Sequence, residues 1–176
     1  MPKMKNHVYL LYLNFLNKTK YLYYKMIQII RTDSHNKDFI ELVKKLDADL
    51  AEKDGDDHPF YAQFNKIDII KYGVVAYENE NPIGCGAIKQ YSPDEIEVKR
   101  MYVVPEERGK GIASKILSAL EKWATELKFG KCILETGKKQ PEAIALYKKS
   151  GYKIIDNYGQ YAGVENSIFF EKKLSN

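Results

Sequence analysis

Cysteine is scarce in this chain and its two copies do not form a pair. Cys85 lies inside the apolar stretch 83–88 and Cys132 opens the stretch 132–134, a spacing that offers neither a disulfide framework nor a metal-binding couple. They read as buried, reduced core residues of a cytoplasmic protein. Histidine is equally sparse. His7, His35 and His58 are too scattered for ligand spacing, and neither cysteine has a His partner in sequence for covalent catalysis. No metal is expected. Blocks of one charge are missing too: 28 Lys and Arg against 24 Asp and Glu leave a net +4 that is dispersed along the chain, so no nucleic-acid partner is implied. The N-terminal apolar run, residues 8–13, is far below the roughly 20 residues of a membrane span, and Asn14 interrupts its continuation. No small-residue cleavage site follows it, and Lys18 and Lys20 come soon after, which argues against a signal peptide. No internal repeat or low-complexity tract occurs.

What the chain does contain suffices for one domain: 176 residues, 44% of them hydrophobic, can fill a single core. The first 25 residues hold five of the fourteen tyrosines without a sustained strand or helix period. Residues 1–25 are therefore expected to be a flexible or loosely docked extension, with the domain at 26–176 and Met26 as a candidate biological start.

Residues 26–31 read as a first strand, closed by Thr32, Asp33 and Ser34. Phe39, Val43, Leu46 and Leu50 then recur at helical spacing, with Asp33, Ser34 or Asn36 as cap and Gly55 as end. Residues 56–66 form a polar, aromatic-bearing loop. Residues 72–77 and 83–90 flank a turn and read as a hairpin, with Gly84 and Gly86 inside its second strand. The fourth strand, 95–104, places Ile96, Val98, Tyr102 and Val104 on one face if it alternates strictly, and Glu97, Lys99, Met101 and Val103 on the other. A helix follows with Ile112, Ile116, Leu120, Trp123 and Leu127 on one stripe, stopping at Gly130. Strand 131–135, a helix opened by Pro141 and stopped before Gly151, and strands 152–156 and 167–172 complete an α/β order that implies a mixed sheet.

The most informative segment is 99–113, a strand that feeds the turn Arg108-Gly109-Lys110-Gly111 and opens a helix. Glycine lets a backbone approach a ligand closely, and the free N–H groups of a helix's first turn favour phosphate oxygens. A tight turn with nothing bound is the plain alternative. A P-loop needs Ser or Thr after Gly-Lys, where this chain has Gly111, and the dinucleotide fingerprint wants a third glycine where it has Ser114.

Here the chain resembles the GNAT N-acetyltransferases, whose acetyl-CoA motif Gln/Arg-x-x-Gly-x-Gly/Ala is met by Arg108, Gly111 and Ala113. Downstream, Ala143, Leu146, Tyr147, Gly151 and Tyr152 are similar to the family's second motif. The resemblance implies a single GNAT-like α/β domain with a mixed central sheet of six to seven strands flanked by helices. The fourth and fifth strands would splay into a cleft for acetyl-CoA. Backbone groups of Met101, Tyr102, Val103 and Val104 would hold the pantetheine arm, and those of Arg108, Gly109, Lys110, Gly111, Ile112 and Ala113 the pyrophosphate. Lys110 would add charge, or simply be solvated. Gln140 stands where the family often has Asn and keeps the amide, on a longer arm, for pantetheine or acceptor.

The resemblance also implies that Tyr147 points its hydroxyl at the sulfur of CoA and acts as general acid, since a phenol with a pKa of about 10 can protonate a departing thiolate; the alternative is a core tyrosine. The acceptor ammonium must lose a proton before it attacks, and Glu97, on the assumed face of Met101 and Val103, is the first candidate base, with Glu95 the second and ordered water a third route. Tyr158 and Tyr161, with His58, Phe60 and Tyr61, are candidates for the acceptor pocket or for ordinary loop packing. The resemblance implies direct transfer from acetyl-CoA to a primary amine, of a small molecule first, and of a protein lysine or N-terminus second. A non-catalytic CoA-binding module on the same fold is the rival. A homodimer is left open, and no membrane partner is expected.

Overall fold

A computed structural model describes residues 27–54, 70–158 and 166–174. The expected extension 1–25, the loop 56–66 and Gly55 as helix end lie outside the described residues. Seven strands form one sheet in the order β1-β2-β3-β4-β5-β7-β6: β1 Ile27–Thr32, β2 Tyr72–Glu78, β3 Asn81–Gln90, β4 Glu95–Val103, β5 Lys131–Gly137, β6 Lys153–Ile155 and β7 Ser167–Lys173. Helix α1 is Lys37–Asp54, α2 Ile112–Glu126 and α3 Pro141–Lys149, with a 3-10 turn at Pro105–Glu107. This is the mixed α/β sheet expected from the pattern. All neighbours pair antiparallel except β4 and β5, which run parallel and are joined through α2, as a parallel pair requires.

Local chemistry sets the connections. Asn36 accepts the Phe39 N–H at 2.9 Å and so starts α1. Asn79 and Glu80 both have positive φ, 50° and 67°, the backbone of a two-residue hairpin turn whose twist matches its strands. Alternation along the strands splits the core. Val74, Ile88, Ile96, Leu134 and Phe170 pack under α2 and α3, whereas Val75, Cys85, Ala87 and Tyr102 pack against Phe39, Leu42, Val43 and Leu46 of α1.

One irregularity reverses an expectation. Between the pairs Cys85↔Tyr102 and Ala87↔Lys99, β3 has one residue and β4 has two, and Arg100 in that bulge has φ 59°. The extra residue inverts the alternation beyond it. Met101 and Val103 therefore pack on the α2 side with Ile96 and Val98, and Tyr102 on the α1 side. Glu97 and Lys99 do not share the face of Met101 and Val103, as strict alternation predicts; they share that of Tyr102. The left-handed backbone costs a non-glycine residue about 1 kcal/mol. It is held by the buried Arg100 guanidinium, which donates to Asp47 of α1 at 2.8 Å, and by the Arg100 carbonyl, which accepts the Cys85 thiol at 3.4 Å.

Candidate active site

Strands β4 and β5 pair at only three positions, Glu95↔Lys131, Ile96↔Cys132 and Glu97↔Ile133. Beyond Glu97 they part: β4 follows its bulge toward β3, while β5 stays paired with β7 as far as Gly137↔Ser167. At the open end lies a cavity of about 440 Å³, in the range of a small-molecule site. Its floor is Met101, Tyr102 and Val103, one wall is the turn with Arg108, Gly109, Gly111, Ile112 and Ala113, and the other is α3 with Gln140, Ala143, Leu146 and Tyr147.

The turn is shaped by its glycines. Gly109 and Gly111 have φ 77° and 78°, and a β-carbon built on either meets nothing within 4 Å. The left-handed conformation favours glycine, and the space where a side chain would point is open to a ligand. Gly111 caps α2 with no side-chain hydrogen bond, and the first N–H to find a helical acceptor is that of Lys115, on the Gly111 carbonyl at 3.2 Å. The N–H groups of Ile112, Ala113 and Ser114 precede it and have no intrahelical acceptor, so they face the cavity side of the turn as donors beside the positive end of the helix dipole.

Other expected cofactor residues are placed differently. Val104 donates its N–H to Ile83 and accepts from Glu107, both at 3.0 Å, so it has no backbone donor left for a ligand. Lys110 is ion-paired with Glu107 at 2.8 Å rather than standing free over the turn. Arg108 points its side chain backward: Nε donates to the Val103 carbonyl at 2.9 Å and the guanidinium reaches Asp49. Gln140 precedes α3 without capping it through its side chain, and its amide lies over Gly137, whose built β-carbon would stand 3.3 Å from Nε2. Sequence patterns did not single out the contribution of α1, which lines the cavity with Leu46, Asp49, Leu50 and Lys53. Leu46 and Leu50 were legible only as helix-core residues.

Tyr147 is 5% exposed. Its ring packs edge-on to Tyr152 at 5.7 Å and against Phe170 at 5.8 Å, and it also lines the cavity. It is thus a core tyrosine that also borders the cavity. Burial, with the nearby charge of Glu135 adding to it, pushes the phenol well above its ordinary pKa, so it stays protonated.

The carboxylates lie on the opposite face from α3. Glu97, 7% exposed, holds the Lys99 ammonium at 3.2 Å at the closed end of the splay. Glu95 lies further in, bonded to Lys131 at 2.8 Å and Ser92 at 3.0 Å. The Lys131 hydrogen bond, aided by Ser92, holds its carboxyl below the usual range. On the same face Tyr158 packs edge-on to Phe169 at 4.8 Å and to Tyr91 at 5.2 Å. His58, Phe60, Tyr61 and Tyr161 lie outside the described residues. Among the described residues, no cluster of three or more His, Cys, Asp or Glu could hold a metal, and no helix is long and apolar enough to cross a membrane.

A helix start with open N–H groups, a parted parallel pair and a buried tyrosine on the cavity wall thus meet around one cavity. The family profile of the GNAT acetyltransferases matches residues 33–152, and the chain belongs to that family. It is 37% identical over 102 residues to the IAA acetyltransferase of Azospirillum brasilense, covering 57% of this chain and 67% of that one. The crystal structure of a Klebsiella pneumoniae protein assigned as an acyl-CoA N-acyltransferase superposes with a TM-score of 0.71 at 30% identity, covering 85% of this chain and 99% of that one. The PaiA N-acetyltransferase of Thermoplasma acidophilum, solved with coenzyme A, shares the fold at 19% identity, with a TM-score of 0.63 and coverage of 84% and 99%.

Proposed function

We propose that this acetyltransferase moves the acetyl group of acetyl-CoA to a primary amine of a small molecule, by direct attack within a ternary complex. The observation that carries this reading is the continuity of one cavity from the Gly109–Gly111 turn to Tyr147. It offers the pyrophosphate a row of backbone donors, the pantetheine the edge of β4 that β5 leaves beyond Glu97, and the thiolate a protonated phenol. The coenzyme A bound by a structure of the same fold supports the same ligand class. Acetyl-CoA supplies the activated acyl group.

Tyr147 is the general acid in this reading. The ammonium of the acceptor gives a proton to a carboxylate on the β4–β5 face, for which the sequence offers Glu97 first. The amine nitrogen then bonds to the thioester carbon and gives its second proton to solvent, the carbon–sulfur bond breaks, the sulfur takes a proton from the phenol, and solvent restores the phenol's proton and removes that of the carboxylic acid. Ammonium and thioester thus yield amide, thiol and one net proton.

Acetyl-CoA is expected to raise the melting temperature, with NAD and ATP doing so much less, because preferential binding stabilises the native state. Thiol release should then appear with free amines and exceed that with lysine-bearing peptides. Stabilisation by ATP alone would overturn the cofactor, and peptide-only turnover would overturn the acceptor class.

A further inference from the structure

Within the acetyl-CoA reading, on which this rests, we propose that Lys53 of α1 binds the pyrophosphate of the cofactor, supplying from a neighbouring helix the positive charge that the Gly109–Gly111 turn spends on itself. Position comes first. Lys53 lines the same cavity as Gly109, Gly111, Ile112, Ala113 and Ser114. It stands four residues after Asp49 on α1, and side chains at that spacing share one face of a helix. Asp49 also lines the cavity and is fastened to Arg108 at the head of the turn. The end of α1 is thereby held beside the open N–H groups that start α2.

Charge decides what Lys53 does there. Among the described residues, three carboxylates line the cavity, Asp49, Glu107 and Glu142, against two cations, Arg108 and Lys53. Arg108 is engaged within the protein, its guanidinium with Asp49 and its Nε with the Val103 carbonyl at 2.9 Å. Lys110, the lysine of the turn itself, is engaged with Glu107 at 2.8 Å. Each pair cancels its own charge, and Lys53 belongs to neither. Without Lys53 the lining would keep the charge of Glu142, which repels an anion. With it, the lining is balanced, and the ammonium stands at an exposed position where a phosphate can meet it.

Backbone N–H groups and a helix dipole offer a pyrophosphate only partial charges. A lysine adds a full one, with three donors on a flexible stem that settles on whichever oxygens the backbone leaves open. The plain alternative is that Lys53, the basic residue in the last turn of α1, complements that helix's own dipole and nothing else. The two roles respond to different things. A dipole contribution belongs to the free protein and shows in its melting temperature. A phosphate contact shows only with a ligand that carries the phosphates, and it weakens with salt.

The test is the binding of acetyl-CoA, 3′-dephospho-acetyl-CoA and S-acetylpantetheine to wild type, Lys53→Gln and Lys53→Arg, measured by titration calorimetry beside melts of the free proteins. The first two probes carry the pyrophosphate and the third lacks it. Lys53→Gln is expected to bind both pyrophosphate probes about tenfold more weakly, the worth of a hydrogen bond to a charged group, and to bind S-acetylpantetheine as wild type does. Lys53→Arg keeps the charge and should stay within a few-fold of wild type. Added salt should narrow the gap between wild type and Lys53→Gln, because screening weakens the ammonium in the one and has no such charge to act on in the other. The free Lys53→Gln protein should melt close to wild type. Unchanged acetyl-CoA affinity in Lys53→Gln, an equal loss toward S-acetylpantetheine, or a loss confined to the 3′-phosphorylated probe would overturn the assignment while the cofactor reading stands. A wild type that binds no acetyl-CoA would overturn the cofactor reading and the assignment together.

Discussion

Asp49 of α1 and Arg108, at the head of the Gly109–Gly111 turn, are joined by a hydrogen-bonded ion pair of 2.5 Å, and the Nε of the same guanidinium holds the Val103 carbonyl at 2.9 Å. The arginine of the acetyl-CoA motif therefore fastens helix, turn and strand together before any ligand arrives. With the Arg100–Asp47 pair two residues earlier on the helix, α1 is clamped at both ends of the segment that floors the cavity.

Asp49→Ala should accordingly separate binding from stability. The Arg108 side chain is 43% exposed, so solvent screening limits the pair to about 1 kcal/mol or less and the melting temperature should fall by only a few degrees. The KM for acetyl-CoA should rise several-fold with little change in kcat, because the Val103–Arg108 backbone loses its brace. Thermal melts and initial rates check this. A large stability loss at unchanged KM would make the pair a structural fastening alone.

Gly111→Val should abolish the thermal shift given by acetyl-CoA. A β-carbon at Gly111 meets no protein atom, so the unliganded fold bears only the left-handed backbone cost of about 1–2 kcal/mol. The methyl groups would occupy the space a pyrophosphate needs. Melts with and without acetyl-CoA measure both effects, and an undiminished shift would move the phosphate site elsewhere.

Glu95 and Lys131 give a pH dependence of stability with opposite signs at the two ends. The Glu95 carboxyl is held low by Lys131, so its contribution is complete above the ordinary carboxylate pKa of 4.5 and is lost as pH falls through the lowered folded value. Lys131 is held high by Glu95 and Glu171; its contribution is complete below 10.5 and is lost as pH rises through the raised folded value. Glu95→Gln should therefore cost stability, on the order of 1 kcal/mol, across the neutral range. The cost should shrink in acid, as urea titrations at pH 7 and pH 3 would show. An equal deficit at both pH values would point to lost packing instead.

Much of this architecture was legible because local signals agreed. The stripe Ile112, Ile116, Leu120 and the glycines at 109 and 111 each named an element and its place, and the helix and strand around Tyr147 and Tyr152 followed from one motif. The bulge at Arg100 was not legible: no glycine marks it, and its left-handed backbone depends on Asp47, 53 residues away. That single residue moved Glu97 off the face of Met101. The wall supplied by α1 was likewise hidden, since the helical stripe of Phe39, Val43, Leu46 and Leu50 does not mark Asp49 and Lys53, which tertiary packing brings to the cavity. Gly84 and Gly86 were visible as strand glycines, but their reason is tertiary. Built β-carbons there would lie 2.7 Å from the Tyr102 carbonyl and from the Met101 sulfur, so they let α2 and β4 close on β3.

Tyr147→Phe isolates the hydroxyl, and its outcome decides between the general-acid role proposed for Tyr147 and a packing role alone. The contacts with Tyr152 and Phe170 survive in the variant, so stability should change by no more than about 1 kcal/mol, whereas Tyr147→Ala should cost about 3–5 kcal/mol through the cavity it leaves. Acetyl-CoA affinity should be nearly unchanged in the Phe variant, because the phosphate and pantetheine contacts lie on other residues. Turnover should fall by about 100-fold, the usual worth of general acid help to a leaving group. Burial holds the phenol well above its ordinary pKa, so the wild-type rate should show no alkaline loss near pH 10 that the Phe variant lacks. Rapid-mixing measurement of thiol release, beside equilibrium binding of acetyl-CoA, reads both quantities. Wild-type turnover in Tyr147→Phe would leave Tyr147 a core residue that merely borders the cavity, and the departing thiolate would then take its proton from water.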